Sequence, residues 1–276
     1  MAGQIFNIVF PIFAIVLVGF IYARKHEPDM AAANKLNIDI FTPALIFHVL
    51  SGKDFHLAEY QALAIGGTVV VLGSGLLAWP VAKLFKFPVK TFVPPMMFSN
   101  SGNMGLPLAL FAFGEQALPA AVVLFIVENL FHFSVGMKMM DTSTSMLGLL
   151  RLPMLIATFA GLLVAGFNVE IPEVIAIPIE MVGQIAIPLM LFALGVRLIS
   201  VNWSDWRIGL AGAIVCPLTG VILALAVDLL LGLSSEQFAM LLVFGALPPA
   251  VLNYMVSERF NQEPHRVAAI VMMGNL

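Results

Sequence analysis

The chain has 276 residues, 61% of them hydrophobic and 11% charged, with a formal net charge of -3 and a mean hydropathy of +1.01. A soluble domain carries about 25% charged residues, so this composition excludes one and points to a polytopic membrane protein with little mass outside the bilayer. The single cysteine, Cys216, excludes a disulfide framework and a cysteine metal cluster; the net charge says nothing of partners, and no nucleic acid is expected.

A helix needs about 20 mainly apolar residues to cross a bilayer. By that measure the chain divides into ten expected spans: Ile5–Ala23, Leu36–Leu50, Tyr60–Leu84, Val93–Phe113, Leu118–Met137, Leu149–Phe167, Pro178–Ile199, Trp206–Leu231, Phe238–Met255 and His265 onward. The first lacks a preceding basic region and a following small-residue cleavage site, so it reads as a span and not as a cleaved signal. The second is short and holds Pro43, which predicts a bend. The tenth stops at Leu276 and reads as cut off, with either a fragment or an incomplete last helix as the expectation.

Lys and Arg orient the chain. With the N-terminus outside, the inner loops hold Arg24, Lys25, Lys35, Lys83, Lys86, Lys90, Lys138, Arg151, Arg197, Arg207, Arg259 and Arg266. The outer loops hold only Lys53. One missed or invented span would scramble this alternation.

Two of the expected spans are broken. The fourth contains FSNSGNMGLPLAL, Phe98–Leu110; the ninth contains FGALPPAVLNYMV, Phe244–Val256. Each puts helix breakers and Asn inside an apolar run. Backbone freed from a helix survives in a membrane only where protein or a wet cavity covers it. Interrupted spans in matching positions of two halves are the best sequence pointer to a secondary transporter's binding site.

The two segments are offset by 146 positions, and the same offset places Tyr60 on Trp206, Gly66 on Gly212, Gln116 on Gln262 and Asn129 on Asn275. An offset of 145 places Ile40 on Ile185, Pro43 on Pro188 and Phe47 on Phe192. Five spans per half is odd, so the second half runs inverted. The expectation is an all-α membrane protein of ten transmembrane helices. Residues 1–137 form the first five-helix repeat, 138–148 a short cytoplasmic linker and 149–276 the second, inverted repeat, with broken helices 4 and 9 crossing.

At these residues the chain resembles the auxin efflux carrier family of permeases. SNSGNMGLPLA is similar to the family's fourth-span motif, PPAVLNYMVSERF to the matching motif near its C-terminal end, and IFTPALIF to its second span. The resemblance covers essentially the whole chain. It implies the ten-span fold shared with bile-acid sodium symporters, with spans 1, 2, 6 and 7 as a scaffold and spans 3–5 and 8–10 as a core. Bacterial members are associated with malonate, malate and similar organic anions; plant members export auxin. The short stretch from Lys138 to Arg151 fits a bacterial type.

Asn100, Ser101 and Asn103 lie at the first break, where Gly102 and Gly105 relax the backbone. Pro107 there, and Pro248 and Pro249 in the second break, cannot donate to the helical ladder. Asn253 and Tyr254 follow. These eight are the candidate substrate-binding residues. Asn supplies donors and acceptors, and two half-helix N-termini facing one cavity can hold a carboxylate without Arg. The bland alternative is that the prolines only kink helices and the Asn residues satisfy freed backbone.

Glu128 is the most unusual ionisable residue, about mid-depth in the fifth span. Asn129 adjoins it, and His132 lies four residues on, on the same helical face. An intramembrane carboxylate is a functional candidate by default, so these three are the candidate coupling-ion residues, for H+ or Na+; a neutral packing carboxyl is the alternative. Glu180 and Gln184 are placed near an outer entrance, and His48 is read as structural.

The resulting expectation is a secondary transporter for a small organic anion, in the bacterial inner membrane, with no cofactor, no metal and no catalytic residues. A homodimer stays open. The competing readings are a sensor or regulatory membrane subunit with a transporter fold and an intramembrane enzyme. The sequence has no HExxH, no GxSxG and no paired catalytic Asp in spans.

Overall fold

The computed structural model describes residues 2–52, 55–143, 148, 151–198 and 205–276. Lys53, much of the expected linker, and the ends of spans 6 and 7 at Leu149 and Ile199 lie outside the described residues. The described residues form helices and one isolated bridge. Helices Ala58–Leu84, Glu115–Met140, Glu173–Arg197 and Trp206–Leu231 are long and apolar enough to cross a membrane; Ser101–Phe113, Pro153–Gly166 and Ser235–Ala246 are shorter apolar helices. Many large apolar side chains point outward, Leu229 and Leu230 among them. The chain divides into two compact units.

One unit comprises Met1–Gln61, Leu106–Val122 and Met146–Ile199, and so holds expected spans 1, 2, 6 and 7. Helix Ala2–His26 packs on Ala186–Arg197, and Thr42–Leu50 packs on Pro153–Gly166 and Glu173–Gln184. Glycines make the first contact close: a Cβ at Gly19 or Gly195 would overlap the carbonyl of Phe192 or Val16 across the crossing. The second expected span starts at Ala31 and passes through a π-turn, Asn37–Phe41, just before Pro43. The seventh starts at Glu173 and divides between Gln184 and Ala186. The cause is the same in both: proline leaves the carbonyl four residues back without a helical donor and clashes with it. For Pro43 and Pro188 those carbonyls belong to Asp39 and Gln184.

The other unit comprises Ala62–Gly105, Val123–Ser145 and Ser200–Leu276. It holds expected spans 8, 9 and 10, most of spans 3 and 5, and the first part of span 4. Trp206–Leu231 packs on Pro264–Gly274, Ser235–Ala246 and Val89–Met97. Its end is set locally. Gly232 takes a left-handed conformation at φ 60 and its N–H returns to Asp228, as C-terminal glycines do. Ser234 then caps the next helix by accepting the Gln237 N–H at 3.2 Å. Small residues again set the helix spacing. A Cβ at Gly66 would press on Leu241 and Val227, one at Gly67 on Leu124, and one at Gly212 on Ile270 and Met96. Every residue from Thr91 to Asn100 is buried, so the segment leading into the first break runs through the middle of this unit.

Candidate functional site

The site forms where the two broken helices of the second unit meet. Helix Val89–Met97 ends at Phe98, whose backbone is extended at φ -109, ψ 99. The chain regains helical form as a π-turn, Ser101–Gly105. Helix Ser235–Ala246 ends at Leu247, extended at φ -64, ψ 147. Leu247 precedes Pro248, and a residue before proline is pushed out of the α region. The helix resumes at Leu252.

The extended pieces pair with each other. Ser99 and Pro249 form an antiparallel bridge. The Asn100 N–H donates to the Pro248 carbonyl at 2.7 Å, and the Ala250 N–H to the Phe98 carbonyl at 2.9 Å. Asn253 Nδ2 adds a bond to the Phe98 carbonyl at 2.8 Å and one to Ala250 at 3.0 Å. The backbone groups freed by the two breaks therefore satisfy one another, as buried backbone must.

Asn275, in the last turn after Pro264–Gly274, binds both sides. Its Nδ2 donates to the Pro249 carbonyl at 2.9 Å, and its Oδ1 accepts from Asn100 Nδ2 at 2.6 Å. Gly274 permits this approach: a Cβ there would stand 2.6 Å from Pro249 Cδ.

Glu128 joins the crossing from helix Leu118–Phe131. Its carboxylate accepts the Ser101 hydroxyl, and its Oε1 lies 3.8 Å from His132 Nδ1. Glu128 and His132 are each 1% exposed. The imidazole stacks on the Phe98 ring, centroids 4.1 Å apart and planes at 8°. A third π-turn, His132–Gly136, carries this histidine; such bulges cluster at functional sites. Gly136 leaves room for the Phe98 ring, since a Cβ would stand 2.7 Å from Phe98 Cε2. The carboxylate, the histidine and the first break thus form one packed group.

Three buried polar atoms here have no hydrogen-bond partner among the described residues: Ser99 Oγ, Asn253 Oδ1 and His132 Nδ1, the last within ion-pair distance of Glu128 Oε1. Buried polar atoms are nearly always bonded, so these are the atoms with capacity for a ligand. A cavity of about 10 Å³ beside His132 and Asn253, lined also by Lys90, Pro94 and Ser257, has room for about one water.

The structure brings together Asn100, Ser101, Pro248, Pro249, Asn253, Glu128 and His132. Asn103 is half-buried in the π-turn. Pro107 is buried in Leu106–Phe113, which belongs to the other unit. Asn129 Nδ2 turns back to the Phe125 carbonyl at 2.8 Å. Tyr254 packs against Val251, Val267 and Val271, and its hydroxyl donates to Glu258 at 3.1 Å. Sequence reasoning passed over Asn275 and Phe98. For Asn275 a signal was present, because the repeat offset aligns it with Asn129.

The first unit has cavities of its own. One of about 570 Å³ is lined by Glu180, Gln184, Glu115 and Tyr60; one of about 430 Å³ is lined by His56, Asn168 and Glu173. His48 lines both, a place the sequence reading did not give it.

The family model described as membrane transport protein matches residues 4–276. A protein of Rhizobium meliloti named "Putative malonate transporter" is 25% identical over 99% of this chain and 92% of its own length. An uncharacterized transporter of Methanocaldococcus jannaschii is 22% identical over 97% of this chain and 93% of its own. This family and these relatives are membrane transporters, not enzymes. With several apolar helices, the fold is that of a multi-pass membrane protein.

Proposed function

The chain belongs to the membrane transport protein family, of the auxin efflux carrier type, and we propose that it is a secondary transporter for a small organic anion such as malonate, malate or another carboxylate. It works by alternating access around the crossed breaks. The observation that carries this reading is the crossing itself: two interrupted helices hydrogen-bonded to each other beside one buried carboxylate, with polar atoms of Ser99 and Asn253 still unpartnered. The name of the Rhizobium meliloti relative supports malonate as the first anion to try.

In this reading Asn100, Ser101, Asn103, Asn253 and Tyr254 contact the substrate. Pro107, Pro248 and Pro249 keep the backbone open. The half-helix starting at Leu252 points its positive end toward the anion. Glu128, with Asn129 and His132, handles the coupling ion, H+ or Na+. A carboxylate removed from water is costly unless it takes a proton or a cation, and its bond to Ser101 gives either event a direct line to the first break.

The inverted repeats, 1–137 and 149–276, belong to the same proposal. Matched packing supports them. Span 1 packs on span 7 as span 6 packs on span 2. Gly67 faces Leu124 and Gly212 faces Ile270; the two glycines are 145 apart and their partners 146, within one residue of a common offset. The one-sided Lys and Arg distribution supports a bacterial inner membrane orientation with the N-terminus outside.

The test is uptake of labelled mono- and dicarboxylates into proteoliposomes under imposed pH or sodium gradients. Saturable uptake of a small carboxylate, blocked by an excess of the same anion, is the expected result. A purified, folded protein that neither accumulates nor exchanges any carboxylate of the panel sinks the reading. Maleimide labelling of Lys86→Cys from the inside only, in a Cys216→Ser background, is expected; labelling from outside reverses the orientation.

A further inference from the structure

Two helices of the second unit end alike in backbone and unlike in chemistry. After helix Gln61–Leu84 the Phe87 N–H returns to the Ala82 carbonyl at 2.8 Å and the Lys86 N–H to that of Lys83 at 3.3 Å. Lys86 is left-handed there, at φ 57. The residue 146 positions on is Gly232, left-handed at φ 60 at the end of Trp206–Leu231. Glycine takes this conformation freely, and a residue with a Cβ is strained in it. The same turn is thus closed by glycine in one place and by lysine in the other.

The faces leading to these ends differ in the same way. On the first helix Leu76, Trp79 and Lys83 follow at helical spacing, and Leu76 and Trp79 are 69% and 48% exposed. Lys83 Nζ stands 5.4 Å from the Trp79 ring centroid, within reach of cation–π attraction. The residues 146 positions on are Ile222, Leu225 and Leu229, all exposed and all apolar. Packing therefore does not require the tryptophan or the lysines. Lys83 and Lys86 are both exposed, and among the described residues neither ammonium has an ion pair or a hydrogen bond. Orienting a chain needs only that positive charge lie on one side of the membrane. It gives no reason for a lysine at the strained residue of the turn, and strain of this kind marks functional positions.

We propose that this end of Gln61–Leu84 is a binding site for an anionic phospholipid. Lys83 and Lys86, three residues apart, take the phosphodiester headgroup between them, the Trp79 ring lies at the glycerol level, and an acyl chain runs along Leu76 and Val69. The helix has 24 residues, about 36 Å at the α-helical rise, against about 30 Å of hydrocarbon. Its last turn thus stands among headgroups. The occupant is a lipid and not a free phosphate, because the two cations sit at the head of an exposed apolar stripe. Under the orientation proposed above, the lipid is one of the inner leaflet.

Trp79 itself reports the contact. The chain has three tryptophans, so Trp203→Phe with Trp206→Phe leaves Trp79 alone. The full chain is placed in phosphatidylcholine nanodiscs, and a small fraction of either phosphatidylglycerol or phosphatidylcholine with brominated acyl chains is added; bromine quenches indole on contact. Phosphatidylglycerol binds in preference by roughly fivefold per lysine, so Lys83→Gln and Lys86→Gln each lower the preference by about that factor. Lys86→Gly loses the same factor yet unfolds at a higher temperature in phosphatidylcholine, an opposition that a purely structural lysine does not produce. A sole tryptophan at Leu229→Trp shows no preference. Equal quenching by the two lipids overturns the proposal, as does a preference that neither lysine variant lowers or an equal preference at Leu229→Trp. Loss of the preference in millimolar soluble glycerol phosphate replaces the lipid by a free phosphate and overturns it too. Nanodiscs offer the same lipids on both faces and the assay needs no transported anion, so the result is independent of the orientation and of the substrate reading.

Discussion

The first break runs from Phe98 to Asn100 and returns to helix through a wide turn, Ser-Gly-Asn-Met-Gly. The second runs from Leu247 to Val251 and is built on two prolines. In the first, the helix yields because glycines and short polar side chains make other backbone states inexpensive. In the second it yields because proline forbids it. The neighbours differ in step. The first break meets Glu128 through Ser101; the second meets Gly274, 146 positions after Glu128, where a Cβ would strike Pro249. The first break has charge and polar groups beside it, and the second has a rigid floor with two carbonyls. The crossing is thus asymmetric: its carboxylate, Glu128, stands on the side of the first break.

The largest expected effect falls on that asymmetry. Glu128→Gln keeps the size and can still accept the Ser101 hydroxyl, but it cannot titrate. Gradient-driven uptake into proteoliposomes drops to background while substrate exchange continues. Normal uptake driven by a pH gradient removes Glu128 from coupling; uptake that follows sodium and ignores pH makes it a cation site or a packing group.

Next are the two asparagines that stand on opposite sides of the comparison. Asn103→Ala and Asn253→Ala each cost about 1.5–3 kcal/mol of anion affinity, roughly tenfold to a hundredfold, read by calorimetry or by competition in uptake. Equal losses mean both breaks hold the anion. A loss for one alone assigns binding to that break.

Smaller again is a steric pair. In Gly274→Ala the new methyl meets the Pro249 ring at 2.6 Å, and in Gly105→Ala it meets the end of Leu247 at 2.9 Å. A ring cannot swing aside and a leucine tip can, so Gly274→Ala loses about 1–3 kcal/mol of stability and Gly105→Ala less. Thermal unfolding in detergent ranks them; the reverse order places the rigid floor at the first break.

The smallest effect is at Asp141, beyond the fifth span. Bonds from the Ser143 backbone and hydroxyl hold its carboxyl below the usual carboxylate range. A depressed group contributes above its unfolded pKa and loses that contribution as pH falls through the folded value. Asp141→Asn therefore leaves the pH profile of uptake between about pH 5 and 8 unchanged. A changed profile moves part of the coupling out to this loop.

Both breaks were legible in the sequence because Gly, Pro and Asn inside apolar runs have few other uses in a membrane. The Glu128–His132 pair was legible from helical spacing. The bond from Ser101 to Glu128 was not, since no local rule relates residues 27 apart. The π-turns at Asn37–Phe41, Ser101–Gly105 and His132–Gly136 were also hidden. Hydrophobic periodicity is too coarse to register one extra residue per turn, although Pro43 signalled the first of them as a bend. Asn275 was seen as a match to Asn129, but a lone amide near a chain end carries no sign of what it will touch. The outward cavities around His48 depend on how helices diverge, which spacing along one helix does not encode.

Proline lacks an N–H, so the Ser99–Pro249 bridge has nowhere to grow. Pro248 cannot return a bond to the Asn100 carbonyl, and the pairing stops at two backbone stitches. A longer seam would set like a sheet and resist parting. A seam of two, worth about 1–3 kcal/mol in all, parts and reseals within reach of thermal energy, and its short, blocked edges offer no template to a neighbouring chain. The proline pair thus works as a zipper stop: it confines the backbone pairing to two bonds and leaves the rest of the crossing to the side chains of Asn253 and Asn275.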